Sequence, residues 1–136
     1  MSSRHYIASP THHTIFRTDA KPLRFTGVLL GARTILDEEE CDFDTRVRLF
    51  KTEGGSLVWA WDRIEAGNDD PEQDEIQRAD ALVISAAERS PAEIAAEAWD
   101  RRPMFNARLA DASIRAWHDA ALVDNAIAEV LYIDVE

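Results

Sequence analysis

Two strand-like runs joined through adjacent glycines, Arg46 to Thr52 and Leu57 to Glu65, restrict this chain more than any other feature in it. Val47, Leu49 and Lys51 alternate with Arg46, Arg48 and Phe50. Leu57, Trp59, Trp61 and Arg63 alternate in the same way with Val58, Ala60, Asp62 and Ile64, which is the period-two pattern of half-buried strands. Glu53-Gly54-Gly55 supplies the bend, because glycine takes the positive φ that a tight hairpin connection needs. The expectation is a β-hairpin with Leu57, Trp59 and Trp61 on the face turned towards helices.

Strand signals continue upstream. Arg24 to Leu36, RFTGVLLGARTIL, is apolar and β-branched, with Gly27 and Gly31 inside it. Two interior glycines would cost a helix roughly 1 kcal/mol each, whereas a strand uses glycine at a bulge or a close approach. A long, bent strand is therefore expected, and it forms a meander with the hairpin if the chain turns at Asp37 to Asp44. Met1 to Lys21 offers two shorter pieces, His5 to Ala8 and Thr14 to Arg17, split by Ser9-Pro10, which reads as an edge strand or a loosely held arm.

Downstream, Ala79 to Ser85 is short and apolar and is read as a further strand. Ser90-Pro91-Ala92-Glu93 opens a helix with a capping box and a proline at its first position, and this helix should end near Arg101, before Pro103. Leu109, Ala112, Ala116, Ala120, Val123 and Ile127 recur at steps of three and four and predict a second helix. The final LYIDVE, residues 131–136, alternates like a strand, with a continued helix as the other reading. The fold class that results is α+β: an antiparallel sheet of three to five strands packed against C-terminal helices. The 136 residues suit one domain with a core that needs no metal or disulfide staple.

Function is far less legible. Cys41 is the only cysteine, so the chain forms no internal disulfide, and the flanking Glu40, Asp42 and Asp44 disfavour a reactive thiolate. Adjacent His12 and His13 lack the i, i+4 spacing of a helical metal site, and His5 and His118 lie far from them in sequence. The carboxylates of residues 68–75 invite a calcium loop, yet Pro71 interrupts it, its sixth position is not glycine and its twelfth is Ala79. Gly54-Gly55 joins strand to strand with no following Lys-Ser/Thr, so it is no phosphate cradle. No catalytic residue, cofactor or metal site is assigned, and a non-enzymatic role is favoured.

Charge is the departure from the ordinary: 15 basic against 26 acidic residues, a net of −11. Residues 1–36 carry five basic residues against Asp19 alone. Residues 37–75 carry fourteen acids against Arg46, Arg48, Lys51 and Arg63. Asp37, Glu38, Glu39, Glu40, Asp42, Asp44, Asp69, Asp70, Glu72, Asp74 and Glu75 flank the hairpin on both sides. If these segments lie at one end of the meander they form one negative surface, which repels nucleic acid and anionic lipid and attracts a basic protein surface. The expected partner is then a nucleic-acid-binding protein whose basic groove is filled by charge mimicry, the strategy of some inhibitors of bacterial defence nucleases, anti-CRISPR proteins among them. Two other readings remain: a small enzyme or ligand-binding domain with a pocket between sheet and helices, and a homo-oligomer joined through Trp59 and Trp61 or a free strand edge. No stretch reaches the roughly 18 apolar residues of a membrane span, and residues 1–21 lack the apolar core of a secretory signal, so a cytoplasmic location is expected.

Overall fold

A computed structural model of the chain describes residues 9–36, 42–68 and 70–131. Five antiparallel strands form one sheet in chain order: β1 (Thr11–Ile15), β2 (Leu23–Leu36), β3 (Phe43–Thr52), β4 (Leu57–Glu65) and β5 (Ile76–Ile84). Three helices follow: α1 (Pro91–Asp100), α2 (Ala107–Ala121) and α3 (Asn125–Val130). The fold is α+β, with the meander and the Gly-Gly hairpin in place. Gly55, at φ +91°, takes the positive angle of the turn, and the Gly55 and Thr52 amides close it on the Thr52 and Ser56 carbonyls.

The sheet curls. Thr18, in the connection between β1 and β2, donates its amide to the Ala79 carbonyl at 2.8 Å, and its hydroxyl accepts from the Ala79 amide at 2.7 Å. β1 and β5 are the two edge strands, so these bonds bring opposite margins of the sheet together and satisfy backbone groups that an open edge leaves exposed. The curl separates two apolar clusters. Inside it, Phe50, Val58 and Ala60 pack with Ile15, and Leu23 and Phe25 lean on them. Outside it, Val47, Leu49, Leu57 and Trp59 meet Leu109, Ala112, Ala116 and Trp117 of α2 and Ile94, Ala95 and Ala98 of α1.

Trp59 is fully buried, stacks on Trp117 with ring centroids 5.9 Å apart, and donates its indole N–H to the Ala98 carbonyl at 2.8 Å. Trp99 closes on the other side of Trp117, with centroids 5.5 Å apart. Trp61 is half-buried and meets Phe105. The hairpin tryptophans therefore divide between core and margin.

Gly27 and Gly31 each explain their place in β2. The register with β3 shifts between Leu29 and Gly31, a bulge that bends the strand. At Gly31 the α2 backbone comes so close that a Cβ would sit 2.1 Å from the Ala116 carbonyl oxygen and 2.9 Å from the Ala120 nitrogen. At Gly27 a Cβ would meet the Lys51 carbonyl oxygen at 2.3 Å. Small residues on the facing side of α2, Ala112, Ala116 and Ala120, allow the helix this approach.

The helices follow their signals with one difference. In α1, Ser90 Oγ accepts from the Glu93 amide at 3.2 Å and the Glu93 carboxylate accepts from the Ser90 amide at 3.3 Å. These Ser90 bonds hold the Glu93 carboxyl below its ordinary range. The periodic run from Leu109 to Ile127, expected as one helix, is two. Asp124 adopts an extended backbone and caps α3 by accepting from the Ile127 amide at 3.0 Å. Its other oxygen accepts from Lys51 Nζ at 2.9 Å, so an interaction with β3 fixes the break. His5 to Ala8 lies outside the described residues, as does the alternating tail beyond Leu131. The second N-terminal piece is strand over Thr11–Ile15 rather than 14–17.

Gly31→Ala is expected to cost about 3 kcal/mol, because the atoms it meets are helix backbone and cannot swing aside. Chemical denaturation of the variant checks this, and a loss below about 1 kcal/mol would mean that α2 can shift away from β2.

Candidate functional site

Strand pairing at one end of the sheet draws the described acidic residues together. Phe43 opposes Glu65, so the start of β3 and the end of β4 lie side by side. The Ala66 amide donates to the Asp42 carbonyl at 2.8 Å and the Gly67 amide to the Asp44 carboxylate at 3.3 Å, which ties the turn after β4 to the chain entering β3. Beyond it, Asn68 Nδ2 donates to Glu75 at 3.0 Å, and the other Glu75 oxygen accepts from the Glu72 amide at 3.1 Å. Glu72, Asp74 and Glu75 are all exposed and bring carboxylate oxygens within 4.8 Å of one another. Asp42, Phe43, Glu65, Ala66 and Glu75 surround a hollow of about 460 Å³.

Asp42, Asp44, Asp70, Glu72, Asp74 and Glu75 therefore belong to the two chain segments that meet at this end. Glu65, absent from the sequence-based site, joins them because β4 ends there. Asp37, Glu38, Glu39, Glu40 and Asp69 lie outside the described residues, as does Cys41. His12 and His13, adjacent on β1, make separate contacts. His12 Nδ1 is 2.8 Å from the Thr26 hydroxyl, while His13 is 3.2 Å from the Gly27 carbonyl and packs on Phe25 and Phe50.

Inside the curl, β3 and β4 carry charge into the protein. Arg46 and Asp62 are directly opposed in register and form a two-pronged pair, with Nε–Oδ1 at 2.9 Å and Nη2–Oδ2 at 2.6 Å. Arg48, one step along the same face, reaches the same carboxylate at 3.5 Å and lies 5.4 Å from the centre of the Phe50 ring. One buried carboxylate thus serves two guanidinium groups. Burial, and then repulsion from Arg46, pushes the Arg48 pKa down to about 10, with Asp62 opposing the shift. At neutral pH the group still carries its charge.

Outside the curl, the register lines up Thr45, Arg63 and Arg78 in one row and Val47, Trp61 and Asp80 in the next. The first turn of α2 and the Phe105 loop stand over these rows, leaving a groove of about 560 Å³ lined by Trp61, Arg63, Arg78, Asp80, Phe105 and Arg108 among others. Asn106 caps α2 at the rim, accepting from the Leu109 amide at 2.9 Å. Phe105 is 78% exposed, and its ring centroid lies 5.8 Å from that of Trp61. Arg63 lies 4.6 Å from the centre of the Phe43 ring. Alternation along the hairpin already put Trp61 and Arg63 on one face. Arg78 and Arg108 could not be added without the β4–β5 register and the start of α2.

No protein-family model, curated protein or solved structure matches this chain. Among the described residues no helix is long and apolar enough to cross a membrane.

The buried triad yields opposite expectations for its members. Asp62→Ala leaves two largely buried guanidinium groups without their carboxylate and is expected to cost about 3–5 kcal/mol. Arg48→Met keeps the Arg46–Asp62 pair and removes the weaker, desolvated member, so stability should stay within about 1 kcal/mol of the parent. Urea denaturation of the two variants checks the contrast.

Proposed function

We propose that this chain is a non-catalytic binding domain whose acidic end engages a basic surface on a macromolecular partner, in the manner of a protein that imitates nucleic-acid charge. The observation that carries the reading is the stitching of two separate acidic segments into one end of the sheet, through Ala66 to Asp42 and Gly67 to Asp44. Carboxylates fixed by backbone hydrogen bonds present their charge with less ordering left to do on binding. A field of one sign also accelerates encounter with an oppositely charged surface and disfavours nucleic acid and anionic lipid. The partner class that fits is a protein with a basic groove, such as one that holds nucleic acid.

Asp42, Asp70 and Asp74 suit the test, because among the described residues Asp42 and Asp70 are bonded through their backbones and Asp74 is exposed. Their joint change to lysine should leave the thermal midpoint nearly unaltered while abolishing capture of a partner from a host lysate. Capture by the parent should also weaken as salt screens the contact. Undiminished capture by the triple variant, or capture insensitive to salt, removes the proposal.

A further inference from the structure

The connection between α1 and α2 turns two large apolar side chains into solvent. Phe105 is 78% exposed, the highest value for such a residue among those described, and Met104 beside it is 53% exposed. The chain that carries them is held on both sides. Pro103 is fully buried, Arg102 lies 3.9 Å from the centre of the Trp99 ring and donates to the Trp99 carbonyl at 2.8 Å, and Asn106 caps α2. An apolar pair fixed outside the core gains nothing for folding, and it has little ordering left to do on binding. Directly beside it lies the groove of about 560 Å³, with Trp61 and Leu109 in its lining. A projection and a hollow therefore sit next to each other on one face.

Charge narrows what can cover this face. Arg63 and Arg108 are engaged within the chain, and Asp62 is held by Arg46. Arg78 and Asp80 differ from these. Both are exposed and line the groove, and they stand two residues apart on β5, so they share its outer face. Among the described residues neither takes part in an ion pair, and the Asp80 carboxylate accepts from the neighbouring Ala81 amide at 2.8 Å. A two-fold axis reverses the order of such a pair: Arg78 of one copy meets the partner's Asp80, and its Asp80 meets the partner's Arg78. The same operation turns each Phe105 towards the other copy's groove, because an isologous interface is one patch meeting itself. A surface of one sign cannot do this. The acidic end would face its own kind of charge, in a chain whose net charge is already −11. The Phe105 face carries both signs and is complementary to itself.

We propose that the Phe105 face is the interface of a symmetric homodimer, in which each copy seats Phe105 and Met104 in the other's groove and Arg78 and Asp80 form reciprocal ion pairs at its rim. The inference is independent of the acidic-end reading. Its test is analytical ultracentrifugation of the full chain over a dilution series, with amide spectra recorded on the same samples. A dimer with a Kd in roughly the micromolar range is expected. The Trp61 indole and the Asn106 and Leu109 amides should shift on dilution, while the Gly55 amide, at the opposite end of the hairpin, stays in place. Phe105→Asp should raise the Kd roughly thirtyfold or more, with an unaltered thermal midpoint when parent and variant are both melted as monomers. Arg78→Asp and Asp80→Arg should each weaken the dimer about tenfold. Combining them should restore it, because the exchanged pair is again complementary to itself. A parent that stays monomeric up to roughly millimolar concentration, even one whose Phe105 face captures another protein, overturns the proposal. So does a dimer unaffected by Phe105→Asp, or a double variant that associates no more tightly than the single ones. The Asp42, Asp70 and Asp74 lysine variant should dimerise at least as tightly as the parent, which separates this face from the acidic end.

Discussion

The seating of α2 on β2 at Gly31 governs most of what surrounds it. Because the helix backbone reaches within contact distance of the strand backbone there, α2 lies flat across β2 and β3. Trp117 then falls between Trp59 and Trp99, and the alanine face of the helix is wholly covered. Burying these rings gives the outer cluster its apolar area, and the Trp59 bond to Ala98 ties α1 to the same point. The start of α2 is carried out over β4 and β5 as a result. The groove is thus a consequence of where the helix is pinned at its other end.

Charge is partitioned by the curl as firmly as apolar surface is. Arg46, Asp62 and Arg48 lie on the inner face, where two cations share one carboxylate. Arg63 and Arg78 lie on the outer face of the same strands, beside the helix start. Glu72, Asp74 and Glu75 sit exposed beyond the strand ends, where their charge costs little desolvation. Alternation by twos along β3 and β4 is the whole cause: neighbours in sequence, such as Asp62 and Arg63, are sent to opposite sides of the sheet. A strongly acidic chain can therefore group several guanidinium groups on each face of these strands.

The hairpin, the bent strand and the α1 start were legible because each depends on neighbours in sequence. Gly54-Gly55, the alternation of Trp59 with Ala60 and Trp61, and the Ser90 to Glu93 box are local devices, and the chain follows them. The break at Asp124 was not legible, since Leu109 to Ile127 keeps its periodicity through it and the residue that fixes the break is Lys51, on a strand. The tie between Thr18 and Ala79 was hidden for the same reason, being a contact across 61 residues. In the acidic region, composition identified the residues and the hairpin implied their proximity. The arginine groove needed two facts that spacing does not carry, the β4–β5 register and the overhang of α2.

The acidic end and the arginine groove adjoin on β4 and β5, and this proximity sets what each can accept. Glu65 and Arg63 project from one strand two residues apart, so any ligand of the groove approaches past carboxylates, and any basic partner of the acidic end approaches past guanidinium groups. Such neighbours penalise ligands with charge spread over a long surface more than ligands whose charge is confined to one point. On the proposed function, a basic partner surface meets guanidinium groups where the acidic end gives way to the groove. Under that same proposal, the change of charge from Arg63 to Glu65 along β4 limits how far a basic partner surface can extend past the acidic end.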